Sequence, residues 1–595
     1  MTDVLDRDWR TAPFRHADFM PVDLDVQRYP DGTIRLTPRM PLEEIDPNLA
    51  RAFFKTAGEK GDSPAIAERG PSGWEYTSYA DLAAQVRGAA QWMLDNLPRR
   101  SVLVVMAENS VAVAALTFAA FATGTIICPI SPAYGAAGGD HARLRHVFNR
   151  VQPAAIFADA RPKYASALAD IGSEAIVITT EPELFGKAAV ALKDVLATPA
   201  TDAVDEAMEA IQPSDTALFM LTSGSTGLPK VVEHSLAALG ASMAQGMGLI
   251  GRAAGWHEDM LDWLPWHHAA GASVLRTGLI LGGLIHIDAG KPAPGLFDQS
   301  IRNLREISVP YFNNVPLGYS MLVDAMDRDT QLRDTFFAKM RLMLYGGAGL
   351  PQPVYDRLQA HAVEASGHRV HMTTGYGMTE TVSGCCAIHF PTDKVGIGLP
   401  GPGVEMKLVP QGDRYEVRMR GPMVMKGYYG DPDSTEKAFD EEGYYRTGDL
   451  AIFHDPDRPE AGLAFAGRFA EEFKLSNGTW VYGGQMRERL MARLGPLITD
   501  FVLTDDGRPF LGLLVWLKPG VELSDLVEPL RTLNAEAKGA SAQVRRIRAF
   551  ASPPSADWHE ISDKGTINRR AVLDHRADDL EALYADPVGD GVLEI

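Results

Sequence analysis

Cysteine and positive charge are both scarce in this chain. Its 595 residues include three cysteines, Cys128, Cys385 and Cys386, which are too few for a disulfide framework and lack the spacing of a zinc site. We interpret the adjacent pair as small packing residues. The 57 basic residues against 77 acidic residues leave a net charge of −20. Such a balance, without a basic tract, argues against nucleic acid or an anionic membrane as the main partner.

Segments that would direct the chain to a membrane are also lacking. The first residues, MTDVLDRDWR, contain neither the basic nor the apolar region of a signal peptide. Residues 111–130 carry no charge over a length that could span a bilayer. They are rich in Ala and Thr, however, and Gly124 interrupts them before a β-branched run. We therefore expect a buried helix followed by a buried strand, and a cytoplasmic location.

Short apolar runs alternate with helix-like stretches through the first three quarters of the chain. Examples are VLVVM at 102–106, AAIFAD at 154–159 and VHMTTGYG at 370–377. This alternation is typical of parallel sheets covered by helices, which bind ligands at the carboxyl ends of their strands. Near residue 400, shorter alternating segments indicate antiparallel strands. A break near Gly467 leaves roughly 125 further residues, which is the size of a separate domain.

Residues 222–230, TSGSTGLPK, are the most informative stretch of the sequence. They follow the strand-like run TALFML at 216–221. Glycines let successive backbone N–H groups face one anion, and hydroxyl groups add further donors. Lys230 adds a compact positive charge. The pattern predicts a phosphate cradle, although the spacing of a Walker A loop is absent and an ordinary Ser/Gly-rich loop is the alternative for this motif by itself.

Later motifs add parts of a nucleotide site. YGGAGL at 345–350 offers small residues against which a flat ring can lie. TGYGMTE at 374–380 contains a tyrosine that can stack on a base and a glutamate, a hard oxygen ligand suited to Mg²⁺. YRTGDL at 445–450 contains a carboxylate that can accept both ribose hydroxyls, and Gly467-Arg468 follows. Each of these motifs alone is also compatible with an ordinary turn.

The order TSGSTGLPK, YGGAGL, GYGMTE, YRTGDL, GR resembles that of the adenylate-forming superfamily of acyl-CoA ligases, luciferases and peptide-synthetase adenylation domains. The resemblance implies an α/β fold in which a large N-terminal domain combines two helix-covered sheets with a distorted β-barrel subdomain. A small, mobile α+β lid domain follows. The implied boundaries are 1–467 for the first domain, 468–474 for a hinge at Ala470, and 475–595 for the lid. It also implies ATP, Mg²⁺ and CoA as cofactors.

The resemblance assigns roles to individual positions. The residues expected to bind ATP or AMP are Thr222, Ser223, Gly224, Ser225, Thr226, Gly227, Lys230, Gly346, Gly347, Ala348, Thr374, Gly375, Tyr376, Gly377, Met378, Thr379, Asp449 and Arg468. The expected catalytic residues are Lys230, His268, Thr379, Glu380 and Lys564, of which Glu380 would hold the metal. The expected acid pocket comprises His267, His268, Ala270, Gly271, Asn314 and Gly346. CoA is expected at Lys474, Asn477, Gly478 and Trp480. The alternative for His268 is a packed core histidine.

The lid departs from the superfamily pattern at its lysine. That lysine usually follows glycine near the end of the chain, where Thr566 stands here, and Lys564 lies two residues earlier in DKGTINR. We expect Lys564 to reach the site, because a developing negative charge must be neutralised by some group. A solvated surface charge is the alternative.

These departures resemble the bacterial feruloyl-CoA synthetases. The shared runs include FKLSNGTWV at 473–481, DWLPW at 262–266 and DKGTIN at 563–568. The resemblance implies a hydroxycinnamic acid, such as ferulate, as the substrate. That subgroup has asparagine where His267 stands, and small residues follow His268, so the class of acid is open. The alternatives are an alkyl or other aryl acyl-CoA ligase, an acyl-AMP ligase that loads a carrier protein, and a non-catalytic nucleotide-binding protein. The expected partners are the acid, CoA and a second copy of the chain in a homodimer.

Overall fold

The structure is a computed structural model, and it describes residues 8–135, 141–186, 189–223, 228–293, 295–504, 507–537, 539, 542–555, 558, 560–561 and 567–595. Up to residue 135 its helices and strands are β1 (Leu24–Arg28), β2 (Ile34–Pro38), α1 (Leu49–Lys60), β3 (Pro64–Gly70), β4 (Gly73–Ser78), α2 (Tyr79–Asn96), β5 (Val102–Met106), α3 (Val111–Thr123) and β6 (Ile126–Pro129).

The next segment carries the remaining strands of the largest sheet. Its elements are α4 (Ala142–Val151), β7 (Ala155–Ala158), α5 (Pro162–Ile171), β8 (Ile176–Thr179), α6 (Pro182–Phe185), β9 (Ala189–Ala191), α7 (Leu192–Leu196), α8 (Ala203–Glu209), β10 (Thr216–Ser223), β11 (Pro229–Ser235), α9 (Leu236–Gly246), α10 (Arg252–Ala254) and β12 (Asp259–Asp262).

Strand–helix alternation continues to residue 374 and then gives way to antiparallel strands. The elements are α11 (Ala269–Leu281), β13 (Leu284–Ile287), α12 (Asp298–Glu306), β14 (Tyr311–Asn314), α13 (Pro316–Met326), α14 (Thr330–Lys339), β15 (Leu342–Tyr345), α15 (Gln352–Ser366), β16 (His371–Thr374), β17 (Tyr376–Gly377), β18 (Gly384–Ala387), β19 (Leu399–Pro400), β20 (Glu405–Gln411), β21 (Arg414–Arg420), β22 (Gly427–Tyr428), α16 (Pro432–Ala438), β23 (Tyr445–Phe453) and β24 (Leu463–Arg468).

The final segment has strands and helices of its own. They are β25 (Glu472–Lys474), β26 (Trp480–Tyr482), α17 (Gly483–Leu494), β27 (Ile498–Leu503), β28 (Leu511–Leu517), α18 (Val527–Ala535), β29 (Val544–Ala549), α19 (Arg569–His575), α20 (Ala577–Tyr584) and β30 (Val592–Glu594).

Hydrogen bonding joins these strands into helix-covered sheets, as the sequence predicts for an α/β protein. The largest sheet has the order β22-β11-β10-β6-β5-β7-β8-β9 and is parallel from β10 to β9. Two smaller sheets lie apart from it in the hydrogen-bond pattern. One has the order β12-β13-β3-β4, and the other is the parallel sheet β14-β15-β16. The region expected to form a distorted barrel contains the antiparallel sheet β1-β2-β20-β21-β23-β24, with β17-β18-β19 forming a separate small sheet.

The uncharged stretch at 111–130 is a core element. Helix α3 begins after Ser110, whose hydroxyl caps the backbone N–H of Val113, and ends at Gly124. Because its apolar residues surround the helix on all sides, α3 is stable only when it is enclosed by protein. It packs against α1, α2 and α8, and β6 follows it into the largest sheet. No helix in the described part of the chain is long and apolar enough to cross a membrane. The three cysteines are buried.

The C-terminal domain, which we call the lid after the predicted role, has its own core around the sheet β27-β28-β29-β30. Helices α17 and α18 contribute to one cluster of buried apolar side chains, and α19 and α20 contribute to another. Contacts with the preceding domain are made near the junction. Arg414 of β21 pairs with Glu472 at 2.5 Å, and both side chains are buried. A Cβ atom on Gly484 would lie 2.6 Å from the Cα of Gly467, so glycine permits this close backbone contact.

Glu560 anchors the segment that leads to residues 562–566. Arg576 donates to both of its carboxylate oxygens, at 2.7 and 2.6 Å, and the His575 ring lies 2.7 Å away. The backbone N–H of Asn568 donates to the Glu560 carbonyl at 2.8 Å. Burial opposes ionisation, but the hydrogen bonds from Arg576, His575 and Ser555 prevail and lower the pKa of Glu560 to about 2. Residues 560 and 568, which lie on either side of 562–566 in the sequence, are thus held together.

We expect Glu560→Ala to lower the free energy of unfolding of the lid by about 3 kcal/mol, since it leaves the buried Arg576 without its partner. Because the pKa of Glu560 is lowered in the folded state, its contribution is complete above about pH 5 and is lost as pH falls toward 2. The difference in unfolding free energy between Glu560→Ala and the parent protein should therefore be complete at pH 7 and should narrow as the pH falls from about 5 toward 2 in calorimetric melts. Glu528→Ala, which removes an exposed ion pair with Arg531, is the control and should change little. Equal melting of the two variants would contradict this role.

Candidate active site

Two of the glycine motifs lie at one edge of the sheet β14-β15-β16. Asn314, Tyr345 and Thr374 are register partners at the carboxyl ends of these parallel strands. The next residues continue the contact, since the N–H of Gly375 donates to the Tyr345 carbonyl at 3.2 Å. Gly347 has a positive φ of 79°, which favours glycine. The expected nucleotide-binding residues 346–348 and 374–378 are therefore neighbours at the edge where parallel sheets bind ligands.

The predicted phosphate motif includes the end of β10 and the start of β11, two antiparallel strands that we call the phosphate hairpin. Thr222 of β10 is the register partner of Lys230 of β11, and Ser223 is that of Pro229. Gly224, Ser225, Thr226 and Gly227, which we predicted to bind phosphate, lie outside the described residues. The Lys230 Nζ lies 4.5 Å from the ring centroid of Tyr428, on the adjacent strand β22.

Tyr428 connects the phosphate hairpin to the expected metal ligand. Its hydroxyl donates to Glu380 Oε1 at 2.8 Å in a buried position, and burial raises the pKa of Tyr428, so that it stays protonated and can donate. Lys230, Tyr428 and Glu380 form a continuous row. Sequence reasoning missed Tyr428, because a tyrosine in a two-residue strand has no motif around it.

The carboxylate of Glu380 is suited to be one ligand of a Mg²⁺ ion that is also bound by a nucleotide. Among the described residues, no group of three His, Cys, Asp or Glu side chains is placed to hold a metal ion. Mg²⁺ is commonly held by one or two carboxylates, with phosphate oxygens and water as its other ligands. Glu380 is buried and is hydrogen-bonded through one oxygen to Tyr428, so its carboxylate would fit the role of one such ligand.

His234 fixes the backbone at Thr379. Its Nε2 lies 2.7 Å from the Thr379 carbonyl, which requires the ring to donate from that atom. Burial lowers the pKa of His234 to about 4, so the ring is neutral at pH 7. Thr379 begins a short helical turn, and its position is therefore set by a strand of the phosphate hairpin. Sequence reasoning missed His234 as well. It could have been found as a histidine on the strand that follows the predicted phosphate motif.

The expected ribose ligand is held by two partners. Asp449 Oδ1 accepts a hydrogen bond from Arg468 Nε at 2.8 Å, and Oδ2 accepts one from the Tyr376 hydroxyl at 3.0 Å. Asp449 and Arg468 are register partners in β23 and β24. Burial raises the pKa of Asp449, and the guanidinium and the phenol oppose that shift. The last three predicted nucleotide motifs thus converge on one carboxylate.

The two histidines of the predicted acid pocket precede helix α11. The ring centroids of His267 and His268 are 4.5 Å apart, and the His268 carbonyl accepts the N–H of Ala272 in the first turn. Gly271 is required here, because a Cβ atom would lie 2.3 Å from the Pro265 carbonyl oxygen. The indole of Trp263 donates to the Asn313 carbonyl at 3.0 Å, which brings this loop to the end of β14.

Asp262 stabilises the loop before the histidines. It accepts hydrogen bonds from the Trp266 indole at 3.1 Å and from the Leu264 N–H at 3.3 Å. Burial raises the pKa of Asp262 to about 7, and the nearby Asp288 adds to the shift. Asn314, another predicted acid-pocket residue, is buried, and its Oδ1 accepts the Val315 N–H at 2.8 Å.

The predicted CoA residues lie on the lid hairpin of β25 and β26. The Lys474 Nζ is 4.8 Å from the ring centroid of the exposed Trp480, and Asn477 and Gly478 form the turn between the strands. The predicted hinge residue Ala470 lies in a short helical turn after β24. Lys564 and Thr566 lie outside the described residues.

Comparisons with known proteins identify the family of this chain. The sequence pattern of the AMP-binding enzyme family matches residues 53–429, and that of the AMP-binding enzyme C-terminal domain matches residues 471–587. The chain is 23% identical over 583 residues to the long-chain-fatty-acid–CoA ligase FadD15 of Mycobacterium bovis, a match that covers 86% of this chain and 92% of that protein.

Two further similarities differ in extent. The chain is 29% identical over 294 residues to the inactive atromentin synthetase InvA4 of Paxillus involutus, but the match covers 44% of this chain and spans only 30% of that protein. The fold is similar to that of ATP-bound MatB from Rhodopseudomonas palustris, with a TM-score of 0.70 and 21% identity over 90% of this chain and 100% of that one.

Since the first family pattern spans more than half of the chain, the protein belongs to the AMP-binding enzyme family, the adenylate-forming superfamily that its ordered motifs resemble.

Proposed function

We propose that this protein is an ATP-dependent acid–thiol ligase that forms an acyl adenylate and transfers the acyl group to CoA. The observation that carries the proposal is the convergence of Lys230, Glu380 and Thr379. Tyr428 links the first two, and His234 links the third to the same hairpin. A cation, a metal-binding carboxylate and a hydroxyl donor are the groups that phosphoryl-group chemistry needs.

In the first reaction, a carboxylate oxygen of the acid forms a bond to the α-phosphorus of ATP, and the bond to the β-phosphate oxygen breaks. Pyrophosphate leaves with the electron pair. The protein contributes position and charge: Lys230 neutralises phosphate charge, the Thr379 hydroxyl donates to the α-phosphate, and Asp449 accepts the ribose hydroxyls. Mg²⁺, held by Glu380, would supply further positive charge at the phosphates.

In the second reaction, the thiol of CoA loses its proton to solvent and its sulfur bonds to the acyl carbon. The bond from that carbon to the phosphate oxygen breaks, and AMP leaves with the electron pair. The lid must move between the two reactions if a lid lysine serves the first and obstructs the thiol in the second. The buried ion pair of Arg414 with Glu472 stabilises one lid position. Lys474 and Trp480 on the exposed lid hairpin are the residues we propose for CoA.

We propose a hydroxycinnamic acid as the substrate, on the basis of the resemblance to feruloyl-CoA synthetases. Alkyl acids are the second candidate, favoured by the similarity to FadD15, a long-chain-fatty-acid–CoA ligase. Discrimination between these classes depends on the walls of the pocket, because apolar fit alone separates substrates weakly.

We expect ATP–pyrophosphate exchange that depends on an acid, together with thioester formation when CoA is added. Ferulate, 4-hydroxycinnamate, octanoate and hexadecanoate form a suitable panel, assayed at one ATP and Mg²⁺ concentration. Ferulate or 4-hydroxycinnamate should be the best substrate. Preference for octanoate would reject the aryl assignment, exchange without thioester formation would favour a carrier-loading enzyme, and no exchange with any acid would favour a non-catalytic nucleotide-binding protein.

Tyr428→Phe tests the row of groups beside the phosphate hairpin. The ring that contacts Lys230 remains, but Glu380 loses a hydrogen bond, and the kcat/KM of adenylation should fall about tenfold with a higher Mg²⁺ requirement. The matched control is Tyr429→Phe, since Tyr429 is adjacent and exposed. If both variants have the same Mg²⁺ dependence as the parent protein, Glu380 is not the metal ligand that we propose.

Lys564→Ala tests the lysine in the lid. We expect adenylation to slow by at least about a hundredfold, because a charge at the reacting phosphate is lost. Thioester formation from supplied acyl-AMP should be unaffected. Arg531→Ala removes an exposed lid charge elsewhere and is the control. Unchanged adenylation in Lys564→Ala would mean that this lysine is a solvated surface charge.

A further inference from the structure

Arg276 is a buried cation in the middle of helix α11. It is only 3% exposed, and burial lowers its pKa to about 10, so it remains charged at neutral pH. Among the residues that the structure describes, its side chain makes no hydrogen bond or ion pair, and no carboxylate contributes to its pKa. Its charge is felt by His234, whose pKa it lowers.

A charge in this position is unfavourable for stability. Burying an ionised group without a partner costs free energy, and replacing such a group with an apolar side chain of similar volume is often neutral or stabilising. The surrounding wall is apolar, with Val113, Phe121, Leu218 and Leu275 as examples. Packing therefore does not account for an arginine here, whereas recognition of a ligand does.

The side chain of Arg276 lines an internal cavity of about 20 Å³ between α3, α11 and the largest sheet. Such a volume holds one water molecule or one ligand oxygen. The other polar groups of the wall are already engaged: the Thr117 hydroxyl donates to the Val113 carbonyl at 2.7 Å, and the Trp266 indole donates to Asp262. Arg276 is thus the wall residue that can donate to an oxygen in this cavity.

The cavity lies on the face of α11 that leads back to the predicted acid pocket. His268, Ala272 and Arg276 are spaced by four residues, so they follow one side of the helix, and the last two both line the cavity. Eight residues of helix span about 12 Å. His234, whose pKa is lowered by the charge of Arg276, holds the backbone of Thr379. An acid whose carboxyl group lies beside His268 would reach Arg276 by extending along this side of α11.

We propose that Arg276 binds a second oxygen of the acid, remote from the reacting carboxyl group. This inference rests on the proposed function and narrows its substrate class to acids whose far end carries a hydroxyl, phenolate or carboxylate oxygen. An unsubstituted hydrocarbon end would leave the guanidinium buried without an acceptor. Arg276 is then a specificity-determining residue.

The test compares matched acids that differ only in the far oxygen, namely 4-hydroxycinnamate with cinnamate and octanedioate with octanoate. Acyl-CoA formation is measured for the parent protein, for Arg276→Met, and for Thr117→Val, which changes a wall residue whose hydroxyl is bonded within its own helix. Melting temperatures are recorded with and without each acid, which gives a readout independent of activity. Arg276→Lys, which keeps the charge, is included in case the methionine variant does not fold.

The parent protein should prefer at least one oxygen-bearing acid by about tenfold or more in kcat/KM, and that acid should raise its melting temperature. In Arg276→Met the preference should disappear through loss of activity on the oxygen-bearing acid, while cinnamate or octanoate is used as well as before. That variant should melt at the same temperature as the parent or higher. Thr117→Val should keep the preference, and Arg276→Lys should keep part of it.

Three results would overturn the assignment. The first is a parent protein that does not discriminate within either pair. The second is an Arg276→Met variant that loses activity equally on both members of a pair, which would assign the arginine to the reacting carboxylate. The third is an Arg276→Lys variant that behaves like the methionine variant while Thr117→Val also loses the preference. Absence of pyrophosphate exchange with every acid in the parent protein would instead reject the proposed function on which the inference rests.

Discussion

The hydrogen bond from Tyr428 to Glu380 joins parts of the site that lie far apart in the sequence. Lys230 contacts the ring of the same tyrosine, so one side chain aligns the phosphate hairpin, the expected metal ligand and the strand β22. This alignment depends on the antiparallel addition of β11 and β22 to an otherwise parallel sheet. Without it, these contacts between the phosphate hairpin and the turn at 379–381 would not form.

Buried polar groups hold the site in place because most of them are paired. Asp449 is compensated by Arg468 and Tyr376, and His234 is neutral and donates to Thr379. A paired or neutral group can be buried at modest cost, and it positions its partners rigidly. Arg276 differs, since no described residue compensates its charge. Asp449 and His234 therefore position other residues of the site, whereas we assign Arg276 to the binding of a ligand.

The sequence predicted the parallel, helix-covered sheets and the order of the nucleotide motifs, because both depend on local patterns. Strand-like runs before the motifs at 222, 345 and 374 became β10, β15 and β16. The uncharged stretch at 111–130 became a buried helix and strand for the same reason. His234, Tyr428 and Arg276 were not predicted. Each is a single polar residue in a regular element, and its role arises from contacts with segments distant in the sequence.

The sequence by itself therefore determined the superfamily, the expected ATP chemistry and the residues of the nucleotide motifs, because glycines, hydroxyls and charges at fixed spacing act through the local backbone. Only the tertiary structure decided which side chains orient those motifs and where an uncompensated charge lies along the proposed acid pocket. Burial and pairing depend on strands and helices brought together from different parts of the chain, and no local pattern specifies which charges will meet a partner.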